Sequence, residues 1–127
     1  MKYMALIYSD PAREPKPGTA EFGAYMQGFY KANEAYAAAG VLVSGDALAP
    51  VHTATTVRRR SGRMETMDGP FAETKEQLGG YYILDCADLD EALRYAAMIP
   101  TVNHGSVEVR PLADMNPEAL KQLMAGA

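Results

Sequence analysis

The stretch KYMALIYS, Lys2 to Ser9, is apolar on both faces that a β-strand presents: Tyr3, Ala5 and Ile7 alternate with Met4, Leu6 and Tyr8. Successive side chains of a strand point to opposite sides, so a strand that is apolar on both must be covered on both. YYILD, Tyr81 to Asp85, repeats the pattern. The rest of the chain has to supply two covers, and its helices can supply one of them.

Working outward from Ser9, DPAREPKPGT contains three prolines, Pro11, Pro15 and Pro17, and reads as a loop. It is longer than the usual connection, long enough to lie over a site as a lid. From Thr19 to Ala39 the period changes: Phe22, Tyr25, Met26, Phe29, Ala32 and Tyr36 recur at helical steps and form one apolar stripe. Thr19 suits the N-cap, Glu21 the first turn and Gly40 the stop. VLVSG, Val41 to Gly45, reads as a short strand. TATTVRRR (Thr53–Arg60) and RMETM (Arg63–Met67) flank Ser61-Gly62, a two-residue hairpin turn. After YYILD, Asp88 and Glu91 have capping-box spacing for a helix with the stripe Leu89, Ala92, Leu93, Ala96 and Ile99, ended by Pro100. SVEVRP (Ser106–Pro111) is a last strand, and Asn116-Pro117-Glu118 opens a final short helix with Gly126 past its end.

The order is strand, helix, strand, hairpin, strand, helix, strand, with an appended helix. Two single-striped helices packed on one face of a sheet give an α+β, ferredoxin-like layer of βαββαβ type with an extra hairpin. The opposite sheet face still carries large apolar side chains, which a monomer rarely leaves wet. The expectation is a homodimer closed face to face.

Composition narrows the function classes. At 127 residues and 48% hydrophobic content the chain is one domain's worth. No apolar run approaches a bilayer span, and MKYMALIYSDP turns polar too soon for a signal peptide, so no membrane partner is expected. The single Cys86 suits a reducing cytoplasm. A net charge of −4 argues against a nucleic-acid partner. No Walker-type phosphate loop, metal-ligand spacing or nucleophile elbow is present, so no cofactor or metal is expected.

The segments KYMALIY, AAGVLVSGDAL, TATTV, DGPFAETKEQLGGYYILD, DLDEAL and HGSVEVRP together resemble the YCII-related family, in its DGPF-type branch. The resemblance covers nearly the whole chain, giving a domain over 1–113 and a C-terminal helical extension over 114–127 that inherits nothing. It implies a dimeric α/β-barrel. For the YCII group it implies a His–Asp pair in a pocket. For DGPF-type relatives, often encoded beside extracytoplasmic-function sigma factors, it implies a regulatory role.

Asp68 ends a strand just before Gly69-Pro70, where its carboxylate either projects into a pocket as a base or hydrogen-bonds its own turn. His104, in the loop before the last strand, is either a proton acceptor at a site mouth or an exposed loop residue. His52, in the polar PVHTAT linker, reads as a solvated surface residue. Glu73, Lys75 and Glu76 crowd between two turn signals and either pair with one another in water or, drawn inward, pair with Arg110 or touch a ligand. Tyr8, Tyr81 and Tyr82 are core residues by default that also offer pocket hydroxyls, with Tyr81 and Tyr82 on opposite faces.

Two functions follow. One is a cofactor-free site under the DGPF loop, with Asp68 and His104 handling protons while Tyr8, Glu73, Lys75 and Arg110 orient a small polar ligand in isomerisation, hydrolysis or lyase-type chemistry. The other is a non-catalytic module that binds a protein, such as a sigma factor, through the Arg58, Arg59, Arg60 and Arg63 hairpin or the last helix.

Overall fold

The computed structural model describes residues 1–126. Strands β1 (Lys2–Ser9), β2 (Leu42–Ala47), β5 (Gln77–Asp85) and β6 (Ser106–Pro111) form one sheet in the order β2-β5-β1-β6. Each neighbouring pair is antiparallel. Taken in chain order these four strands are the first, second, third and fourth of a βαββαβ unit, and their spatial order is the ferredoxin-like one. The hairpin of β3 (Thr55–Arg60) and β4 (Arg63–Asp68) is inserted between the second and third, as a separate two-stranded sheet. Its turn residues, Ser61 at φ 52° and Gly62 at φ 75°, both adopt the left-handed conformation that a tight two-residue hairpin needs.

Helices α1 (Ala20–Ala39) and α2 (Leu89–Ala96) cover one face of the sheet. Thr19 Oγ1 accepts the Phe22 amide at 3.1 Å, and Gly40 stops α1 at φ 71°. Asp88 accepts the Glu91 amide at 2.9 Å to start α2. The core is the inward row of β1 (Tyr3, Ala5, Ile7) and β5 (Tyr82, Leu84) against Ala32 and Tyr36 of α1, Ala92 of α2, and Ile99. Burial of this kind stabilises by roughly 25 cal/mol for each Å² of apolar surface removed from water. The Tyr36 hydroxyl donates to the Tyr95 carbonyl at 2.6 Å, tying α1 to the end of α2.

Several boundaries differ from the sequence reading. Strand β5 begins at Gln77, four residues before the Tyr81 at which the sequence pattern starts, and so takes in Gly79-Gly80. The β1 register shifts between Ile7 and Tyr8, whose partners are Gly80 and Leu78, so Gly79 is absorbed as a bulge. Ladder pairing with β1 on one side and β2 on the other outweighs glycine's poor strand preference here. Helix α2 ends at Ala96, and Pro100 opens a 3-10 turn over Pro100–Asn103. Leu89 and Leu93 lie outside the core, each 47% exposed, because the alanine row Ala92 and Ala96 is what meets the sheet. Helix α3 (Pro117–Ala125) forms as expected, with the Asn116 side chain accepting the Ala119 amide at 2.8 Å, and buries none of its residues.

On the sheet face opposite the helices, Met4 and Leu6 of β1 stand beside Ile83 and Tyr81 of β5. They share that face with Arg110 and Glu108 of β6.

Candidate functional site

The hairpin strand β4 delivers Asp68 to the rim of the sheet. The turn that follows is pinned from both sides: the Gly69 amide donates to the Ala54 carbonyl at 2.7 Å, and Thr56 Oγ1 donates to the Gly69 carbonyl at 2.9 Å. With Gly69 at φ 93°, the chain can reverse there without side-chain strain. The loop then returns to β5, and the Glu76 carboxylate accepts the Ser106 hydroxyl of β6 at 3.0 and 3.3 Å. Held at both ends, the loop borders an open cleft of about 720 Å³ whose polar lining is Tyr8, His52, Asp68, Glu73, Thr74 and Gln77. Val51, Phe71 and Leu78 contribute the apolar part. The volume falls within the usual range for small-molecule sites, about 300–1,000 Å³.

Asp68 makes no side-chain hydrogen bond among the described residues, so its carboxylate is not spent on its own turn. His104 does not line this cavity. Its ring packs edge-on against Tyr25 of α1, with centroids 5.1 Å apart, and its Nε2 is buried without a hydrogen-bond partner among the described residues. The expectation that Asp68 and His104 share one pocket is therefore corrected, and the reason is the sheet. The 3-10 turn carries His104 to the helix-covered face, whereas Tyr8, on the opposite face from Ile7, marks the side on which Asp68 lies. The histidine that lines the cavity is His52, and it is solvent-exposed, as its polar linker implies. It sits in a 3-10 turn over Val51–Thr53 that follows β2, and a polar linker sequence carries no signal for that placement.

The other expected residues scatter. Arg110 pairs with Glu108 on its own strand at 3.1 Å and does not reach the loop. Lys75 is exposed at the loop, and among the described residues neither it nor Glu73 forms an ion pair. The Tyr81 hydroxyl donates to Asp46 at 2.8 Å, and that bond and its charge hold the phenol above its ordinary range. On the hairpin, Arg58 faces Glu65 across the strands at 3.8 Å, and Arg59 and Arg60 donate to nearby backbone carbonyls. Among the described residues no cluster of three His, Cys, Asp or Glu side chains is arranged to hold a metal, and no helix is long and apolar enough to cross a membrane.

The strand order and helix placement define a ferredoxin-like α+β domain with an inserted hairpin. The YCII-related domain matches residues 1–116, and the chain belongs to that family. An uncharacterised protein of Rhizobium meliloti (strain 1021) is 42% identical over 122 residues, covering 94% of this chain and 98% of its own. Among solved structures, the chain is similar to 5-chloro-2-hydroxyhydroquinone dehydrochlorinase from Burkholderia phenoliruptrix AC1100, in complex with 2,5-dihydroxybenzoquinone. That likeness has a TM-score of 0.43 and 14% identity, over 89% of this chain and 94% of the other.

Proposed function

We propose that this is a DGPF-type member of the family, and that the cavity under its DGPF loop binds a small polar molecule and handles a proton on it without a cofactor. The observation that carries this reading is the convergence of His52, Asp68, Glu73 and Tyr8 on one cavity of about 720 Å³. Imidazole and carboxylate side chains are the usual proton carriers, and an imidazole titrates near physiological pH. In this reading Asp68 is the base, because its carboxylate is free of turn hydrogen bonds. His52 returns the proton, while Glu73 and the Tyr8 hydroxyl orient the ligand. Lys75, exposed on the same loop, adds a cation to the ligand's approach. With two carboxylates in the lining, the site suits a ligand rich in hydrogen-bond donors, such as a polyol or amino alcohol. Isomerisation and lyase-type chemistry are the reaction classes that such a pair supports.

The same proposal includes a homodimer in which the open sheet face, centred on Met4, Leu6, Tyr81 and Ile83, is closed by a second copy. Val57, Met64 and Phe71 of the hairpin and loop are 58%, 61% and 80% exposed, further apolar surface for a second copy to cover.

The test is an amide chemical-shift titration with glycerol, inositol and ethanolamine as probes. Shifts clustered on His52, Asp68 and Glu73 that vanish in Asp68→Asn, with the melting temperature held within a few degrees, are the expected result. If Asp68→Asn binds like the parent but melts far lower, Asp68 is a turn residue and the reading is wrong.

A further inference from the structure

A second cavity lies on the opposite face of the sheet, under the N-terminal half of α1. Its origin is legible in the strand pairing. On the inner face, β1 and β5 place Tyr3 opposite Leu84 and Ala5 opposite Tyr82, both well filled. The next row pairs Ile7 with Gly80, and on the edge strand Gly45 and Ala47 stand opposite Tyr82 and Gly80. The side chains run out just where α1 still passes overhead. The row cannot be refilled locally, because a Cβ at Gly80 would sit 2.9 Å from the Asp46 carbonyl oxygen. The result is a cavity of about 370 Å³ walled by Ile7, Tyr25, Met26, Phe29 and Tyr82.

Its electrostatics are one-sided. Glu14, from the proline-rich loop after β1, closes one end and accepts the hydroxyl of the buried Ser9. Glu14 forms no ion pair among the described residues, and the lining contains no lysine, arginine or histidine. A half-buried carboxylate with no cation needs a partner, and ordinary protein chemistry would place one beside it. The Tyr25 phenol is raised above its ordinary range by burial, its hydroxyl bond to Thr101 opposing this and the charge of Glu14 adding to it. The lining holds four aromatic side chains, Tyr25, Phe29, Tyr81 and Tyr82, and two carboxylates, Asp46, which accepts the Tyr81 hydroxyl, and Glu14, which has no cation beside it. Rings and carboxylates around an apolar space are the elements that recognise an organic cation, whose charge is attracted to both. Size agrees: a dry cavity of about 150 Å³ is enough for benzene.

We propose that this cavity is a ligand site distinct from the one under the DGPF loop, and that it takes a compact apolar ammonium compound, the charged nitrogen against Glu14 and the apolar body among Tyr25, Phe29 and Tyr82. The proline-rich loop that carries Glu14 is then the cover of this site.

The experiment compares three probes of one size and different charge: benzylammonium, benzyl alcohol and benzoate, each titrated while following the ring signals of Tyr25, Phe29 and Tyr82. Benzylammonium is expected to bind with a dissociation constant of about a millimolar or lower, ahead of the alcohol, with benzoate weakest. Glu14→Gln, in a surface loop, should bring the ammonium down to the level of the alcohol, a loss of roughly tenfold. Ala47→Leu, on the edge strand, should exclude all three by filling the space. Asp68→Asn should change nothing here, which separates this site from the one under the DGPF loop. Equal binding of alcohol and ammonium, an unaffected Glu14→Gln variant, or shifts confined to the DGPF loop would each overturn the proposal.

Discussion

Replacing Tyr36 with Phe tests the packing that holds both helices on the sheet. Tyr36 is fully buried, its ring meets Tyr82 and Tyr95 edge-on at 5.2 and 5.8 Å, and its hydroxyl donates to the Tyr95 carbonyl at 2.6 Å. Removing the hydroxyl at pH 7 forfeits one buried hydrogen bond, about 1 kcal/mol. The cost stops there, because the Tyr95 carbonyl keeps the Met98 amide at 3.0 Å and is not orphaned. For a domain of this size that is a drop of about 3–6 °C in melting temperature.

At high pH the comparison should reverse. Burial, with smaller contributions from Tyr82 and Cys86, pushes the Tyr36 phenol far above its ordinary value of 10.0. The folded state thus favours the neutral form more than the unfolded state does. The stability this provides is complete below pH 10 and drains away as pH climbs towards the folded value. One pH unit above the unfolded value, the unfolded chain gains about 1.4 kcal/mol by ionising this one residue. Tyr36→Phe is spared that loss, while the raised phenols of Tyr25 and Tyr82 remain in both proteins and cancel. Urea unfolding followed by circular dichroism should show the parent ahead by about 1 kcal/mol at pH 7 and level with or slightly behind the variant at pH 11. A gap that stays constant between the two pH values would refute the placement of Tyr36 in the core.

Ile83→Glu puts a charge in the centre of the open sheet face. Sedimentation equilibrium should find the parent dimeric and the variant monomeric and still folded, and a monomeric parent would end the proposal of a closed pair. Ser61→Gly relieves a non-glycine residue at φ 52° in the hairpin turn. It should be neutral or stabilising by up to about 1 kcal/mol, because the relief of left-handed strain competes with the extra freedom of glycine in the unfolded chain. Clear destabilisation in thermal melts would contradict the observed turn.

The elements with a strong local signal were determined by the sequence alone. The three- and four-residue recurrence from Phe22 to Tyr36, the Asp88 and Asn116 caps and the Ser61-Gly62 turn are all decided within a few residues of chain, and each sits where its residues demand. The layer could also be anticipated, because two single-striped helices must bury their stripes on one face of the sheet. Tertiary structure decided what depends on pairing across the sheet. Gly79-Gly80 belong to β5 only because β1 and β2 flank them. The helix-side cavity exists only because small residues from two different strands fall in adjacent rows. His52 joins Asp68, and His104 does not, because the sheet separates its two faces, and a histidine's sequence neighbours say nothing about which face its turn approaches. Secondary structure is written in local periodicity, whereas a site depends on which distant residues share one side of a sheet, and that is settled only when the strands pair.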